Sequence, residues 1–311
     1  MRRALRFVCL GAPAVLGACD LDEITVVEVE NVIIAEIYVN LAEDPAANNV
    51  FAFLHRTVGI PGSDDEELRA ARIVVSRSDG LTLDLTERPP EACLESLPTI
   101  ESGVCFLANS NRTRRLRPGD QLEAVVTLAD GGTLLGSTRV PSSFEIDGVS
   151  PTCRLDPDTL LPVLWSSSEG AWAYINETSI QGLPEALIGE GIQVKDDPLN
   201  LLGLSISNQD TTIVFPSEFG VFERFDLAQD LAVRLQTGLP SSAVAAVSIT
   251  AVDGNFVNWV RGGNFNPSGS VRVPSLRGDG TGVFGSTVNR RFVVISGLNL
   301  GAIPDCAGPT P

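Results

Sequence analysis

The 311-residue chain has 39 acidic residues, 22 basic residues and one histidine, for a formal charge of −17, and 43% of it is hydrophobic. Such a charge excludes broad electrostatic contact with nucleic acid or anionic lipid, whose phosphates must be neutralised by Lys and Arg. The apolar content suffices for a buried core, which excludes a disordered chain, and the length allows one large or two ordinary domains.

The chain opens with the cationic stretch Met1-Arg2-Arg3-Ala4-Leu5-Arg6, then an apolar run from Phe7 to Leu16, then Gly17, Ala18 and Cys19. A charged head, a short apolar middle and a small-residue exit predict a signal peptide over 1–18. The apolar run is about half of the ~20 residues that span a bilayer as a helix, so it suits export rather than permanent anchoring. Leu16-Gly17-Ala18-Cys19 reads as a bacterial lipobox, in which the Cys19 thiol takes a diacylglycerol and cleavage follows Ala18. Two acyl chains or more hold a protein on a membrane where one holds it only marginally. The alternative is an ordinary signal peptide with a chance cysteine. Cleavage removes Arg2, Arg3 and Arg6 and moves the formal charge from −17 to −20. Residues 19–31 are acidic and read as a lipidated tether. Asp20 resembles an inner-membrane retention signal of some Gram-negative bacteria.

Past Val32, strand patterns dominate. Ile33, Ala35, Ile37, Val39 and Leu41 alternate with polar residues, as a half-buried strand requires. Val50 to Thr57 and Ala71 to Ser76 follow, the latter closed by Asp79-Gly80. Gln121 to Leu128 and Thr133 to Val140 form a hairpin across Asp130-Gly131-Gly132. These pieces predict an antiparallel, immunoglobulin-like β-sandwich over 32–141, with a boundary at Pro141-Ser142-Ser143.

A second β-rich domain with a short helix is expected over 144–311. Its predicted strands are Leu161 to Trp165, Ala171 to Ser179, Gly203 to Ser207, Leu231 to Leu235, Val244 to Thr250 and Phe292 to Ile295. Trp165 and Tyr174 are the expected core rings. Asp253 is the expected helix cap, with Phe256, Val257 and Val260 facing inward and Trp259 at the edge.

Four cysteines remain beyond the lipobox: Cys93, Cys105, Cys153 and Cys306. An even number in an exported chain predicts disulfides. Three pairings are open. The favoured one joins Cys93 to Cys105 across a short loop and Cys153 to Cys306, which clips the C-terminus to the start of the second half. The spacings do not suit zinc, and no metal or cofactor is expected.

The order of these pieces resembles the bacterial lipoproteins grouped as the domain of unknown function 4249 family. The residues that carry it are the lipobox, Leu54-His55-Arg56-Thr57, Ala70 to Gly80, the entry Arg117-Pro118-Gly119 into a hairpin ending at Val140-Pro141, and a glycine-rich turn, Gly280-Thr281-Gly282-Val283-Phe284-Gly285. The resemblance implies an outer-membrane envelope protein with an accessory role beside an uptake transporter. It carries over no catalytic residue. The short tether and Asp20 depart from the pattern.

Catalytic residue types are scarce. His55 is the sole histidine and lies within a predicted strand. Carboxylate pairs for glycan hydrolysis are available in Asp64-Asp65-Glu66-Glu67, Asp156 with Asp158, and Asp196-Asp197, although sequence proximity does not place them across a cleft. Asp253-Gly254-Asn255 and Asp279-Gly280-Thr281 offer oxygen ligands but read as turns. Arg112, Arg114, Arg115 and Arg117 form the one basic cluster, a candidate partner contact or a solvated loop. The leading expectation is a non-catalytic binding or accessory lipoprotein. A carbohydrate-binding module presenting Trp172 or Trp259 and a carboxylate glycan hydrolase are the alternatives.

Overall fold

The computed structural model describes residues 31–57, 66–93, 103–205, 207–218, 229–261, 273–297, 301 and 303–307. The predicted signal peptide, Cys19 and the expected tether through residue 30 lie outside them, as do Asp64 and Asp65.

The first half contributes β1 (Ile33–Leu41), β2 (Asn49–Arg56), β3 (Arg72–Arg77), β4 (Thr82–Arg88), β5 (Val104–Ala108), β6 (Gln121–Thr127) and β7 (Thr133–Arg139). The remainder adds β8 (Ile146–Asp147), β9 (Thr152–Leu155), β10 (Leu161–Trp165), β11 (Ala173–Gln181), β12 (Leu199–Leu204) and β13 (Thr212–Phe215). It ends with β14 (Val244–Val252), β15 (Leu276–Gly278) and β16 (Thr281–Ser296). The helices are short: α1 (Glu66–Arg69), α2 (Ser110–Thr113), α3 (Leu183–Leu187), α4 (Gln229–Leu235) and α5 (Gly254–Arg261). None in the described residues is long and apolar enough to cross a membrane.

Alternation sets the facing of each strand. Ile33, Ala35, Ile37, Val39 and Leu41 of β1 point into the core, as do Leu122, Ala124 and Val126 of β6. Neighbours run β1-β2-β5-β4-β3-β6-β7-β15-β16. β16 then pairs in parallel with β1, from Ile34 against Thr281 to Leu41 against Val288. The chain is mainly β, as expected, but its nine ring strands close into a barrel where an immunoglobulin-like sandwich was expected. The reason is β16, whose arrival beside β1 removes the two edges that an open sheet would leave unpaired.

The glycine-rich stretch from Gly280 to Gly285, expected as a turn, is instead the start of β16 from Thr281 onward. A Cβ on Gly282, whose φ is +156°, would stand 1.9 Å from the Ala35 carbonyl oxygen. Only glycine admits so close an approach of two backbones. Phe284, between the glycines, is fully buried.

β16 also outruns the barrel. Its second half pairs with β14, from Thr287 against Val252 to Ile295 against Val244, and in parallel with β9. The sheet continues through β11 to β12, while β13, β10 and β8 form a separate small sheet. Trp165 of β10 meets Tyr174 of β11 edge-on at 5.4 Å, and Phe144 meets the same tyrosine at 5.8 Å. All three rings are buried, as expected for Trp165 and Tyr174. The chain leaves β7 at Pro141-Ser142-Ser143, yet β15 and β16 return from the second half to complete the barrel.

Two local readings are corrected. Leu231 to Leu235 lies in helix α4, because Leu231 and Leu235 are buried one turn apart while Val233 is exposed. The strand expected at Gly203 to Ser207 is β12, which starts earlier, at Leu199. β4 and β5 were not foreseen. The disulfides are Cys93–Cys105 and Cys153–Cys306, the favoured pairing.

Candidate functional site

Asp253 caps α5 as expected, its Oδ1 accepting the Phe256 amide at 2.9 Å. Its Oδ2 accepts from the Thr138 hydroxyl of β7, and its own amide donates to the Ser286 carbonyl of β16 at 3.1 Å. Asn255 repeats the bridge: its Nδ2 donates to the carbonyls of Ser137 on β7, at 2.8 Å, and Phe284 on β16, at 2.9 Å. β15 lies between β7 and β16 only as far as Gly136 on one side and Gly282 on the other. Beyond it, Asp253 and Asn255 hold the seam with side chains. Burial pushes the Asp253 carboxyl above its ordinary value, against the opposing bonds from Thr138, Phe256 and Ser286. The Asp253 carboxylate, considered as a metal ligand, is thus occupied in closing the barrel, and Asp279 Oδ2 accepts the Thr133 amide at 2.8 Å. Among the described residues, no group of three or more His, Cys, Asp or Glu side chains converges for a metal.

α5 lies on the outer face of the barrel. Val257 and Trp259 are buried, whereas Val260, expected inward, is 46% exposed. Trp259 donates from Nε1 to Glu36 at 3.1 Å, Tyr38 donates to the same carboxylate at 3.2 Å, and His55 Nε2 stands 3.8 Å away. Burial alone would raise the Glu36 carboxyl, but His55, Trp259 and Tyr38 together hold it below the ordinary value. A carboxylate kept ionised by surrounding donors is suited to fastening α5 and β2 to β1, not to giving up a proton. His55 also lies 3.3 Å from the Arg56 carbonyl and stacks on Phe53.

The carboxylates considered for hydrolysis are dispersed. Glu67 on α1 pairs with Arg56, Asp158 accepts from Arg234 at 2.5 Å, and Asp197 accepts the Gly182 amide at 3.0 Å.

The arginine cluster occupies α2 and the turn after it. Thr113 and Leu116 are buried and seat the turn, with Thr113 Oγ1 donating to the Asn48 carbonyl at 2.8 Å. Arg112, Arg114, Arg115 and Arg117 are exposed, and among the described residues none forms a salt bridge. Nearby, Arg77 pairs with Asp79 at 2.8 Å and with Asp120 at 2.6 Å. The Arg77 bond, helped by the Leu81 amide, pulls the exposed Asp79 carboxyl down to about 2. β5 runs alongside β1's direction, so the cluster lies beyond the Leu41 end of the barrel. The chain enters the barrel at Ile33, the opposite end, roughly 27 Å away for a nine-residue strand.

Of the grooves that open among the described residues, two lie against the barrel. The larger, of about 590 Å3, lies over β6 and β7, with exposed Val125, Leu135 and Val273 and with Glu123 and Arg277 among its lining residues. The smaller, of about 350 Å3, lies where β14 and β11 diverge from β1 and β2. Its polar side chains come from strands far apart in sequence, so no local motif announced them. Trp172 is 54% exposed, its indole against Gly254, where a Cβ would come within 2.8 Å of the ring.

No protein-family model matches this chain, and no curated protein matches it.

Proposed function

We propose that this chain is an exported, lipid-anchored envelope protein, attached through Cys19, that binds a partner and performs no catalysis of its own. The observation that carries the reading is the pairing of all four cysteines downstream of the lipobox. Structural disulfides persist in oxidising compartments and are rare in the cytosol, so they agree with the export signal at residues 1–18. The resemblance to the domain of unknown function 4249 family points the same way, towards the outer membrane and an uptake transporter as partner. Tethering at the Ile33 end would leave Arg112, Arg114, Arg115 and Arg117 at the far pole, free to meet a carboxylate-bearing partner.

The test is in-cell cross-linking of the tagged chain with metabolic labelling by palmitate. Wild type should take up label, fractionate with membranes and capture a reproducible envelope protein. Cys19→Ala should lose all three. Undiminished labelling of Cys19→Ala sinks the anchor.

A second reading, a carbohydrate-binding module, is favoured by the exposed ring of Trp172, although Trp259 is buried in the α5 contact.

A further inference from the structure

We propose that the smaller groove, between the barrel and the β11–β14 sheet, binds a neutral saccharide, a mono- or disaccharide read by side-chain amides and hydroxyls. The inference rests on the binding-protein reading and gives it a ligand class.

The groove floor is a ladder of side chains from adjacent strands. Asn40 of β1 accepts from Thr287 of β16 at 3.0 Å and donates to Asn49 of β2 at 3.0 Å. Asn289 of β16 donates to Thr250 of β14 at 2.7 Å and also to Ser248. These bonds fix the amide planes while leaving functions over. Among the described residues, Asn49 Nδ2 and Asn289 Oδ1 have no hydrogen-bond partner, and the Thr250 hydroxyl, an acceptor here, retains its proton to donate. A fixed donor, a fixed acceptor and a rotatable hydroxyl match the hydroxyl groups of a sugar ring. Phe256 and Ile175 add apolar surface for the C–H face of such a ring.

Charge and topology narrow the class. Among the described residues, Glu177 is the only charged one lining the groove, in a chain that is 20% charged, so an anionic ligand has no cationic counterpart there. The floor strands β1, β16, β14 and β11 are consecutive neighbours, each hydrogen-bonded to the next. No backbone edge is open at the floor for an added peptide strand, so recognition falls to side chains. A volume of about 350 Å3 is at the small end of the ~300–1,000 Å3 typical of ligand sites, which favours one short saccharide over a long chain.

The test is calorimetric titration of the full, lipidated chain in neutral detergent with maltose, cellobiose and chitobiose. Variants Asn49→Ala and Asn289→Leu report on the groove, and Trp172→Ala reports on the exposed indole. Asn49 is exposed, so its variant should keep the wild-type unfolding midpoint even if Asn289→Leu does not. At least one disaccharide should bind, with affinity reduced about tenfold in Asn49→Ala, the effect of one lost hydrogen bond, and unchanged in Trp172→Ala. Absence of binding by all three sugars overturns the proposal, as does binding that survives Asn49→Ala or depends on Trp172 alone. Palmitate labelling at Cys19 reads out the anchor separately, so failure of the sugar site leaves that result standing.

Discussion

Asp253 shows how one residue can close a helix and a barrel together. Alanine there removes the α5 cap and the charged acceptor of the buried Thr138 hydroxyl, which keeps only its 2.9 Å contact with the Ser286 hydroxyl. We expect Asp253→Ala to lower stability by about 2–4 kcal/mol, a cap plus one buried hydrogen bond to a carboxylate. Urea unfolding measures this, and an unchanged midpoint would refute the seam role. The raised carboxyl gives the loss a pH signature. Ionisation is disfavoured in the folded state, so Asp253 contributes more stability as the pH falls through its raised folded value, and fully so below the ordinary value of 3.8. Asp253→Asn should remove that component of the stability-versus-pH curve. The cap was legible because Asp before an apolar helical pattern is a local signal. Its bonds to Thr138 and Ser286 were not, since both partners lie on other strands.

At the scale of elements, β16 carries most of the architecture, and its glycines are where it is most vulnerable. Gly282→Ala places a methyl against the Ala35 carbonyl at a backbone conformation that L-residues rarely adopt. The expected cost is about 3 kcal/mol or more, from strain and overlap together. Gly189→Ala, with nothing within 4 Å of the added carbon, is the control and should stay within about 0.5 kcal/mol of wild type. Comparable melting temperatures for the two variants would contradict the close approach. Strand alternation made β1, β6, β7, β10 and β14 readable. α4 was misread because Leu231, Val233 and Leu235 fit both periods until burial separates Val233 from the other two. Leu83 and Leu85 of β4 alternate with exposed Thr82, Asp84 and Thr86, the same period-two signal in a shorter run.

For the whole molecule, closure was the hidden feature. Pairing between the first and last strands leaves no trace in either strand's own pattern, so an open sandwich and a closed barrel look alike residue by residue. The groove at the barrel's flank was hidden for the same reason: Asn40, Asn49, Thr250 and Asn289 come together only through the strand order. The two disulfides differ in what they constrain. Cys93 and Cys105 are 12 residues apart, Cys153 and Cys306 are 153 apart. By chain entropy alone, losing the longer link should destabilise by about 2 kcal/mol more than losing the shorter. Paired Cys→Ala variants followed by thermal unfolding check the order, and the reverse order would mean that residual structure or strain outweighs loop length.

The parallel seam between β1 and β16 also sets a schedule. Synthesis delivers Ile33–Leu41 well before Thr281–Val288, so until the later segment is made the nascent chain has a β1 strand with one side waiting. Sheets dominated by such distant pairings form late. A polypeptide whose ring cannot close until its final strand arrives stays threadable through a narrow pore, and β1's waiting side needs shielding from other chains until then.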